Sequence, residues 1–335
     1  MIDLIRIENS TGTAKYKQIV NSILEAIESE KLVVGDKIPS LNALVKEFGL
    51  SQDTVLTAYN ELRHRGIISS SVGKGYYVAK TDTLDHHHIF VLFDKMTAYK
   101  EVLYEAMKST AGEKVTLDIY FHHGNQTVFN NLLSQAMGTY SVYVVVPIIS
   151  DATLEMLAEF PLKKVYILDQ GIEKFGKKYR SVCQNFREDI QSALGSVTDR
   201  IKSYRKFFLV QEDKRQQFID LQQGFRRFCS ESNIMHGILP SLRKHQISAG
   251  DLYLTINDHD LVDFMRQCRE QGLKPGENIG IISYNDTPLK EFIADGISTI
   301  STDFERMGQS VIEMILENRT RHLTNPSRLI MRQSF

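Results

Sequence analysis

Residues 35–62 read GDKIPSLNALVKEFGLSQDTVLTAYNEL, and this stretch decides the fold of the first part of the chain. Ser40 and Ser51 are residue types that cap helices, and apolar residues follow each of them at helical spacing. Gly49 lies between the two segments and is suited to end the first one. The spacing therefore predicts two helices joined by a turn of about three or four residues, a helix-turn-helix.

The flanking sequence adds a helix before this pair and a hairpin after it. Isoleucine and leucine recur at helical spacing within residues 19–27. Two short strand-like runs, 67–70 and 76–78, are joined by a glycine-rich turn. Three helices and a two-stranded hairpin are typical of a winged helix-turn-helix, a DNA-binding fold that is mainly α. We place this domain at residues 1–80.

Two parts of this predicted domain are suited to contact DNA. Small polar side chains at the start of the second helix of the pair can reach base edges in the major groove. A lysine between glycines at the hairpin tip can approach the phosphates. The candidates for DNA contact are Asn42, Ser51, Gln52, Thr54, Lys74 and Gly75.

The overall charge of the chain neither supports nor excludes nucleic acid. Lys and Arg number 40 against 41 Asp and Glu, a formal net charge of -1. A general electrostatic attraction to DNA is therefore absent, and the prediction depends on the local pattern.

The same local pattern resembles the GntR family of bacterial transcription regulators. The similarity spans residues 13–79 and is strongest in the runs at 16–19, 35–40, 51–55, 58–62 and 73–75. The family usually has arginine where this chain has Asn42 and Gln52. Asn and Gln can pair with adenine whereas Arg favours guanine, so the resemblance implies a different operator.

A polar segment follows the predicted winged domain. Residues 81–88 have little apolar content and no sustained period, so we expect a linker. Its three histidines, His86, His87 and His88, are poor metal ligands because adjacent side chains of an extended chain point apart. We expect no metal and no cofactor in this protein.

Residues 89–335 alternate between apolar strand-like runs and helical segments. Continuous Val, Ile and Leu runs indicate strands buried on both faces, and hence parallel sheets flanked by helices. The length of this region fits two lobes better than one. The predicted strands are 89–93, 115–121, 142–149, 165–168, 207–210, 252–256 and 279–283.

Polar side chains follow several of these strands. Ligands of open parallel sheets bind beyond the carboxyl ends of the strands. Asp94, Asp169, Gln170, Asn257 and Asn285 stand at such positions and offer the donors and acceptors that a polyhydroxylated ligand needs. Asp and Asn also cap helices, so each of them has a purely structural alternative.

Residues 88–335 resemble the effector domain of LacI-family regulators and the related periplasmic sugar-binding proteins. The resemblance is carried best by the runs at 255–258, 272–275, 281–286 and 298–300. It implies an α/β fold class, in which the winged domain is joined to a two-lobed periplasmic-binding-protein-like domain. By position it places ligand contacts at Thr97, Tyr99, Asp169, Gln170, Asn257 and Asn285.

Departures from this second family bear on the ligand. Gln170 and Asn285 stand where sugar binders often have Arg and Asp, and the arginine expected just before Gly224 has no counterpart. The pocket is therefore predicted to carry less charge than usual. We expect a neutral monosaccharide, and a deoxysugar such as L-fucose would place its methyl group on an apolar wall.

The predicted function is a transcription regulator whose operator affinity is controlled by that sugar. Two-fold symmetry of DNA sites predicts a homodimer on a pseudo-palindromic operator. The sequence lacks a nucleophile elbow, a phosphate-binding loop and a zinc-protease motif, so we expect no enzyme. The alternative is a DNA-binding head fused to an enzyme-derived metabolite-sensing domain.

Targeting features indicate the cytoplasm. The sequence has no export signal and no apolar run long enough to span a membrane, which also disfavours a transport-type sugar-binding module. Its three cysteines are far apart, as in reduced cytosolic proteins.

Overall fold

A computed structural model describes residues 2–8, 12–64, 66–71, 75–79, 87–176, 178–212, 215–319 and 321–335. The chain divides into two compact units, and the residues up to Ile89 make up most of the first. The predicted linker residues 81–86 lie outside the described residues.

The first unit contains the predicted three helices and hairpin. Ser40 Oγ accepts a hydrogen bond from the amide of Ala43 at 3.2 Å, and Ser51 Oγ accepts one from Thr54 at 3.2 Å, so both predicted caps are confirmed. Gly49 ends its helix with a φ of 61°, as expected for a glycine at this position. The elements are α1 (Lys15–Glu28), α2 (Leu41–Phe48), α3 (Gln52–His64), β1 (Ile68–Ser71) and β2 (Gly75–Val78).

A single apolar core holds these elements together. The helical periodicity places Ile19 and Ile23 of α1 against Val55 and Tyr59 of α3, and all four are fully buried. The Tyr59 hydroxyl donates to the carbonyl oxygen of Pro39 at 2.6 Å, which ties α3 to the start of α2. This packing fixes the angle between the two helices of the pair.

The second unit has two lobes, each built on a six-stranded sheet. The N-lobe sheet has the order β13-β7-β6-β5-β3-β4 and the C-lobe sheet the order β14-β12-β11-β10-β8-β9. The predicted α/β, two-lobed architecture is confirmed. Its strands are β3 (His87–Phe93), β4 (Val115–Phe121), β5 (Val142–Val145), β6 (Val165–Asp169), β7 (Arg180–Cys183), β8 (Lys206–Val210), β9 (His236–Leu239), β10 (Asp251–Thr255), β11 (Gly280–Tyr284), β12 (Ser298–Thr302), β13 (His322–Thr324) and β14 (Ser327–Ile330).

Helices connect these strands and cover the sheets. They are α4 (Ala98–Ala111), α5 (Gln126–Ala136), α6 (Asp151–Ala158), α7 (Ile172–Phe175), α8 (Phe186–Gly195), α9 (Thr198–Lys202), α10 (Gln216–Glu231), α11 (Asp258–Gln271) and α12 (Phe304–Leu316). In the C-lobe, β8, β9, β10, β11 and β12 pair in parallel, and β14 pairs antiparallel with β12. None of the described helices is long and apolar enough to cross a membrane.

The chain passes between the lobes three times. It leaves the N-lobe after β7, returns to it after β12, and crosses again between β13 and β14. As a result α12, which follows the C-lobe in sequence, packs on α4 and against β6 and β7 of the N-lobe.

Several strand predictions need correction. The predicted strand 142–149 ends at Val145, since Pro147 has no amide hydrogen with which to continue a sheet. His87 and His88 belong to β3 rather than to the linker. The strand β7 was not predicted because it begins with two polar residues, Arg180 and Ser181, which are buried. The Arg180 guanidinium donates to Asn318 Oδ1 at 3.0 Å, a partner that is distant in sequence.

Candidate functional site

A cavity of about 890 Å³ lies at the carboxyl ends of β3, β8, β10 and β11. Both lobes of the second unit contribute to it. Thr97 and Tyr99 come from the N-lobe, and Asn257 and Asn285 come from the C-lobe. These four predicted contact residues therefore line one space.

Two of these residues carry buried polar atoms without a hydrogen-bond partner among the described residues. Thr97 occupies the position before α4, where a threonine hydroxyl commonly caps the helix, but its side chain makes no capping bond. Asn285 follows β11 with a φ of 60°, a left-handed conformation that asparagine tolerates. Thr97 Oγ1 and Asn285 Oδ1 are both buried and unpaired, which costs stability unless a ligand pairs with them.

Tyr99 supplies an aromatic surface to the cavity. Its ring stacks on Phe304, with centroids 4.7 Å apart and an interplanar angle of 30°. Burial raises the pKa of the Tyr99 hydroxyl to about 12, so this group stays protonated and can both donate and accept a hydrogen bond.

Asn257 has a structural role in addition to its place in the cavity wall. Its Oδ1 accepts from the amide of Asp260 at 2.9 Å, and its Nδ2 donates to Asp260 Oδ2 at 2.7 Å. Asn257 therefore caps α11, which is the alternative that the sequence left open.

Asp94, Asp169 and Gln170 do not line the cavity. Asp94 forms ion pairs with Lys100 and, at 3.3 Å, with Arg215. Asp169 Oδ2 lies 3.8 Å from the Lys100 ammonium, and its Oδ1 accepts from Gln184 at 2.6 Å. We call Asp94, Lys100, Asp169 and Arg215 the ionic cluster.

Gln170, the third of these residues, is also hydrogen-bonded within the protein. Gln170 donates to the carbonyl oxygen of Pro147 at 2.7 Å. Burial lowers the pKa of Lys100 to about 8, against the opposite effect of Asp169. The side chains predicted to bind ligand at these three positions therefore make their polar contacts within the protein.

Most of the cavity wall was not predicted from the sequence, including Gln211, Arg215 and Lys290. Arg215 lines the cavity and links the lobes through Asp94, but it precedes α10 instead of standing just before Gly224. Gln211 follows β8 directly and is also in the wall. Lys290 is buried and donates to the carbonyl oxygens of Tyr284 and Asn285 at 3.0 and 2.7 Å. Of these three residues, only Gln211 could have been predicted from the sequence, because it directly follows a predicted strand.

Two of the cations in the cavity wall are paired within the protein. Arg215 pairs with Asp94, and Lys290 pairs with Asp258 at 3.0 Å. A ligand without charge can enter such a site without leaving a buried ion uncompensated.

The predicted DNA contacts lie in the first unit. Asn42 and Gln52 are exposed at the starts of α2 and α3. Ser51 Oγ and Thr54 Oγ1 are 2.7 Å apart and bond to each other, so these hydroxyls serve the helix cap. Gly75 begins β2 with a φ of 111°, which favours glycine. Lys74 lies outside the described residues.

The histidines provide no metal site in the described part of the chain, where no three His, Cys, Asp or Glu side chains cluster. His122 instead takes part in the N-lobe core. Its Nδ1 accepts from the amide of Gly124 at 3.0 Å, which leaves Nε2 to donate to Val146 O at 3.1 Å. Burial lowers the pKa of this imidazole to about 4, well below the usual value of 6.5.

Acid is expected to destabilise the protein through His122. Between about pH 6.5 and 4 the unfolded chain binds a proton at this residue that the folded protein excludes, so the free energy of unfolding falls as the pH falls. Urea denaturation at several pH values in this window measures the effect. The variant His122→Asn should be less stable at pH 7 but should lose less stability on acidification. An unchanged pH dependence in that variant would contradict the assignment.

The winged helix-turn-helix and the two-lobed domain together define a DNA-binding transcription regulator. Residues 15–78 match the family model of bacterial regulatory proteins of the gntR family, and residues 202–335 match that of a periplasmic binding protein-like domain. The chain belongs to the gntR family, with the periplasmic-binding-protein-like domain as its second part. Both resemblances seen in the sequence are thereby confirmed.

Curated relatives match either a short part or most of the chain. The transcriptional repressor YtrA of Bacillus subtilis is 33% identical over 103 residues, which cover 30% of this chain and 73% of YtrA. The regulator YdfD of the same species is 44% identical over 64 residues, only 13% of its own length and 19% of this chain. The regulator GalR of Streptococcus thermophilus is 20% identical over 290 residues, covering 79% of this chain and 86% of GalR.

Solved structures share the fold of the second domain. The trehalose repressor of Escherichia coli has a TM-score of 0.62 at 14% identity and covers 73% of this chain and 100% of its own. A LacI family regulator of Enterococcus faecium with bound ribose has a TM-score of 0.59 at 16% identity, covering 74% and 98%.

Proposed function

We propose that this protein regulates transcription by binding an operator with an affinity set by a carbohydrate in the cavity. The observation that carries the proposal is the cavity that both lobes line with side chains able to donate and accept hydrogen bonds, among them Thr97, Asn257 and Asn285. Each sugar hydroxyl both donates and accepts hydrogen bonds, so a sugar is suited to such a lining. Thr97 Oγ1 and Asn285 Oδ1 have no partner among the described residues, and sugar binding that opens the site to them supplies one.

The carbohydrate that fits best is a neutral monosaccharide. The stacked Tyr99 ring offers an apolar surface to the CH groups of a pyranose, and Arg215 and Lys290 already have carboxylate partners in the protein. Ile256 and Phe218 add apolar wall, on which the methyl group of a deoxysugar such as L-fucose can lie. Support for a neutral carbohydrate in general also comes from the structural neighbours, one described as a trehalose repressor and one as holding ribose.

The protein acts as a homodimer on a pseudo-palindromic operator in the cytoplasm, because one winged domain reads too few base pairs for high specificity. Sugar binding shifts the population of two conformations that differ in operator affinity. No catalytic step is part of this function.

The experiment is thermal denaturation of the full chain with a panel of neutral, deoxy-, acidic and phosphorylated sugars. A neutral sugar at 100 times its Kd should stabilise the protein by about 2.7 kcal/mol. The variant Thr97→Val should bind that sugar about tenfold more weakly, because one hydrogen bond is lost. Without sugar the same variant should be at least as stable as the wild type, because an unpaired buried oxygen is removed.

The matched control is Thr153→Val in α6. Thr153 is also buried, but its Oγ1 accepts from Gln126 at 3.2 Å and from Ser150 at 3.1 Å. This control should lower stability and leave sugar affinity unchanged. Stabilisation by acidic or phosphorylated sugars alone, or a Thr97→Val variant that only loses stability, would count against the proposal.

A further inference from the structure

The outward face of α3 carries an exposed leucine among polar side chains. Val55 and Tyr59 point into the core of the first unit, whereas Gln52, Leu56 and Thr57 are exposed on the other side. Leu56 is 36% exposed and lies outside the apolar core cluster of the described residues. A lone exposed leucine is ordinary on a protein surface, but this one occupies the middle of the helix that enters the major groove in winged domains.

Thr57 extends this apolar character. Its hydroxyl donates to the carbonyl oxygen of Asp53 within the same helix, at 2.7 Å. Because the Thr57 hydroxyl proton is already donated within the helix, the methyl group is the part of this side chain that can make a new contact. The neighbouring Thr54 is engaged in the same way, because its hydroxyl bonds to Ser51.

Cations are absent from this part of the helix. From Gln52 to Leu62 the sequence contains two acidic residues, Asp53 and Glu61, and no Lys or Arg. Arg and Lys make the commonest specific contacts to guanine, through O6 and N7. The first turns of α3 therefore have nothing with which to read guanine by that contact.

We propose that Leu56 and the methyl group of Thr57 form a binding site for the 5-methyl group of thymine in the operator. Thymine is the base that presents a methyl group in the major groove, and apolar side chains recognise it there. Gln52, one helical turn before Leu56, is placed to read an adenine nearby. This inference rests on the operator binding proposed above.

The test uses the full-length protein and duplex DNA selected by it from a randomised library. Each thymine of the enriched sequence is replaced in turn by deoxyuridine, which removes only the methyl group. We expect one or two positions in each half-site where this replacement weakens wild-type binding about fourfold, the effect of one buried methyl group. In Leu56→Ala the penalty at one of these positions should fall to less than about 1.5-fold.

Two variants of Thr57 separate its methyl group from its hydroxyl. Thr57→Val keeps a methyl group and should retain the deoxyuridine penalties of the wild type. Thr57→Ser keeps the hydroxyl and should lose part of them. Circular dichroism checks that Leu56→Ala folds, as expected for alanine at an exposed helical position.

The possible failures are distinguishable. Equal deoxyuridine penalties in the wild type and in Leu56→Ala, or no penalty at any thymine, would overturn this inference and leave operator binding intact. A selection that enriches no sequence would contradict operator binding itself, and the inference with it.

Discussion

Asp94→Ala is expected to lower the free energy of unfolding by about 3–5 kcal/mol, the usual cost of breaking a buried ion pair. Asp94 lies between two cations, Lys100 and Arg215, and the Lys100 side chain is only 2% exposed. Without Asp94 the ammonium group keeps one carboxylate within reach, Asp169 at 3.8 Å. Urea denaturation at pH 7, followed by circular dichroism, measures the loss.

An exposed ion pair provides the control. Asp151 contacts Lys174 at 2.6 Å, but its side chain is 88% exposed, so Asp151→Ala should cause no measurable change. The double variant Asp94→Ala/Lys100→Met should recover much of the lost stability, because the buried charge leaves together with its partner. Equal effects of Asp94→Ala and Asp151→Ala, or no recovery in the double variant, would show that the ionic cluster does not stabilise the N-lobe.

Gly308→Ala is expected to destabilise the N-lobe by about 3 kcal/mol, at the upper end of the usual cost of overpacking. Gly308 lies where α12 crosses α4, and a Cβ atom there would lie 2.5 Å from the carbonyl oxygen of Leu103 and 2.9 Å from Ala106 Cβ. The first of these neighbours is backbone, so no change of rotamer relieves the clash. The two helices have to move apart, and the thermal unfolding temperature should fall accordingly.

Gly195→Ala is the matched comparison. Gly195 also belongs to a helix, at the end of α8, but a Cβ atom added there would meet no other atom within 4 Å. The substitution should be neutral or should stabilise the protein slightly, because alanine favours a helix more than glycine does. Similar losses in both variants would mean that close packing at Gly308 is not the cause.

The sequence predicted the first unit well because its signals are local. Ser40 and Ser51 cap the helices that they precede, and Gly49 adopts the left-handed conformation expected at a helix end. Each of these features depends on residues within four positions. The boundaries of α2 and α3 can therefore be predicted from the sequence alone.

The candidate site was predicted only in part, because burial depends on residues that are distant in sequence. Asp94 follows β3 and Asp169 ends β6, positions typical of cavity residues, but both carboxylates contact the buried Lys100 of α4. No local pattern marks Lys100 as a buried lysine. The role of Arg215 is hidden in the same way, since it becomes visible only when the two lobes are brought together.

The place of α12 in the sequence dictates an order of events on the ribosome. The helix covers α4 in the N-lobe, yet it is translated after nearly all of the C-lobe. A nascent chain that has reached residue 300 therefore contains the whole sequence of the winged unit, whereas Leu103 and Met107 of the N-lobe still lack their covering helix. The N-lobe can complete its packing only after α12 has been synthesised, although most of its other elements precede β8 in the chain.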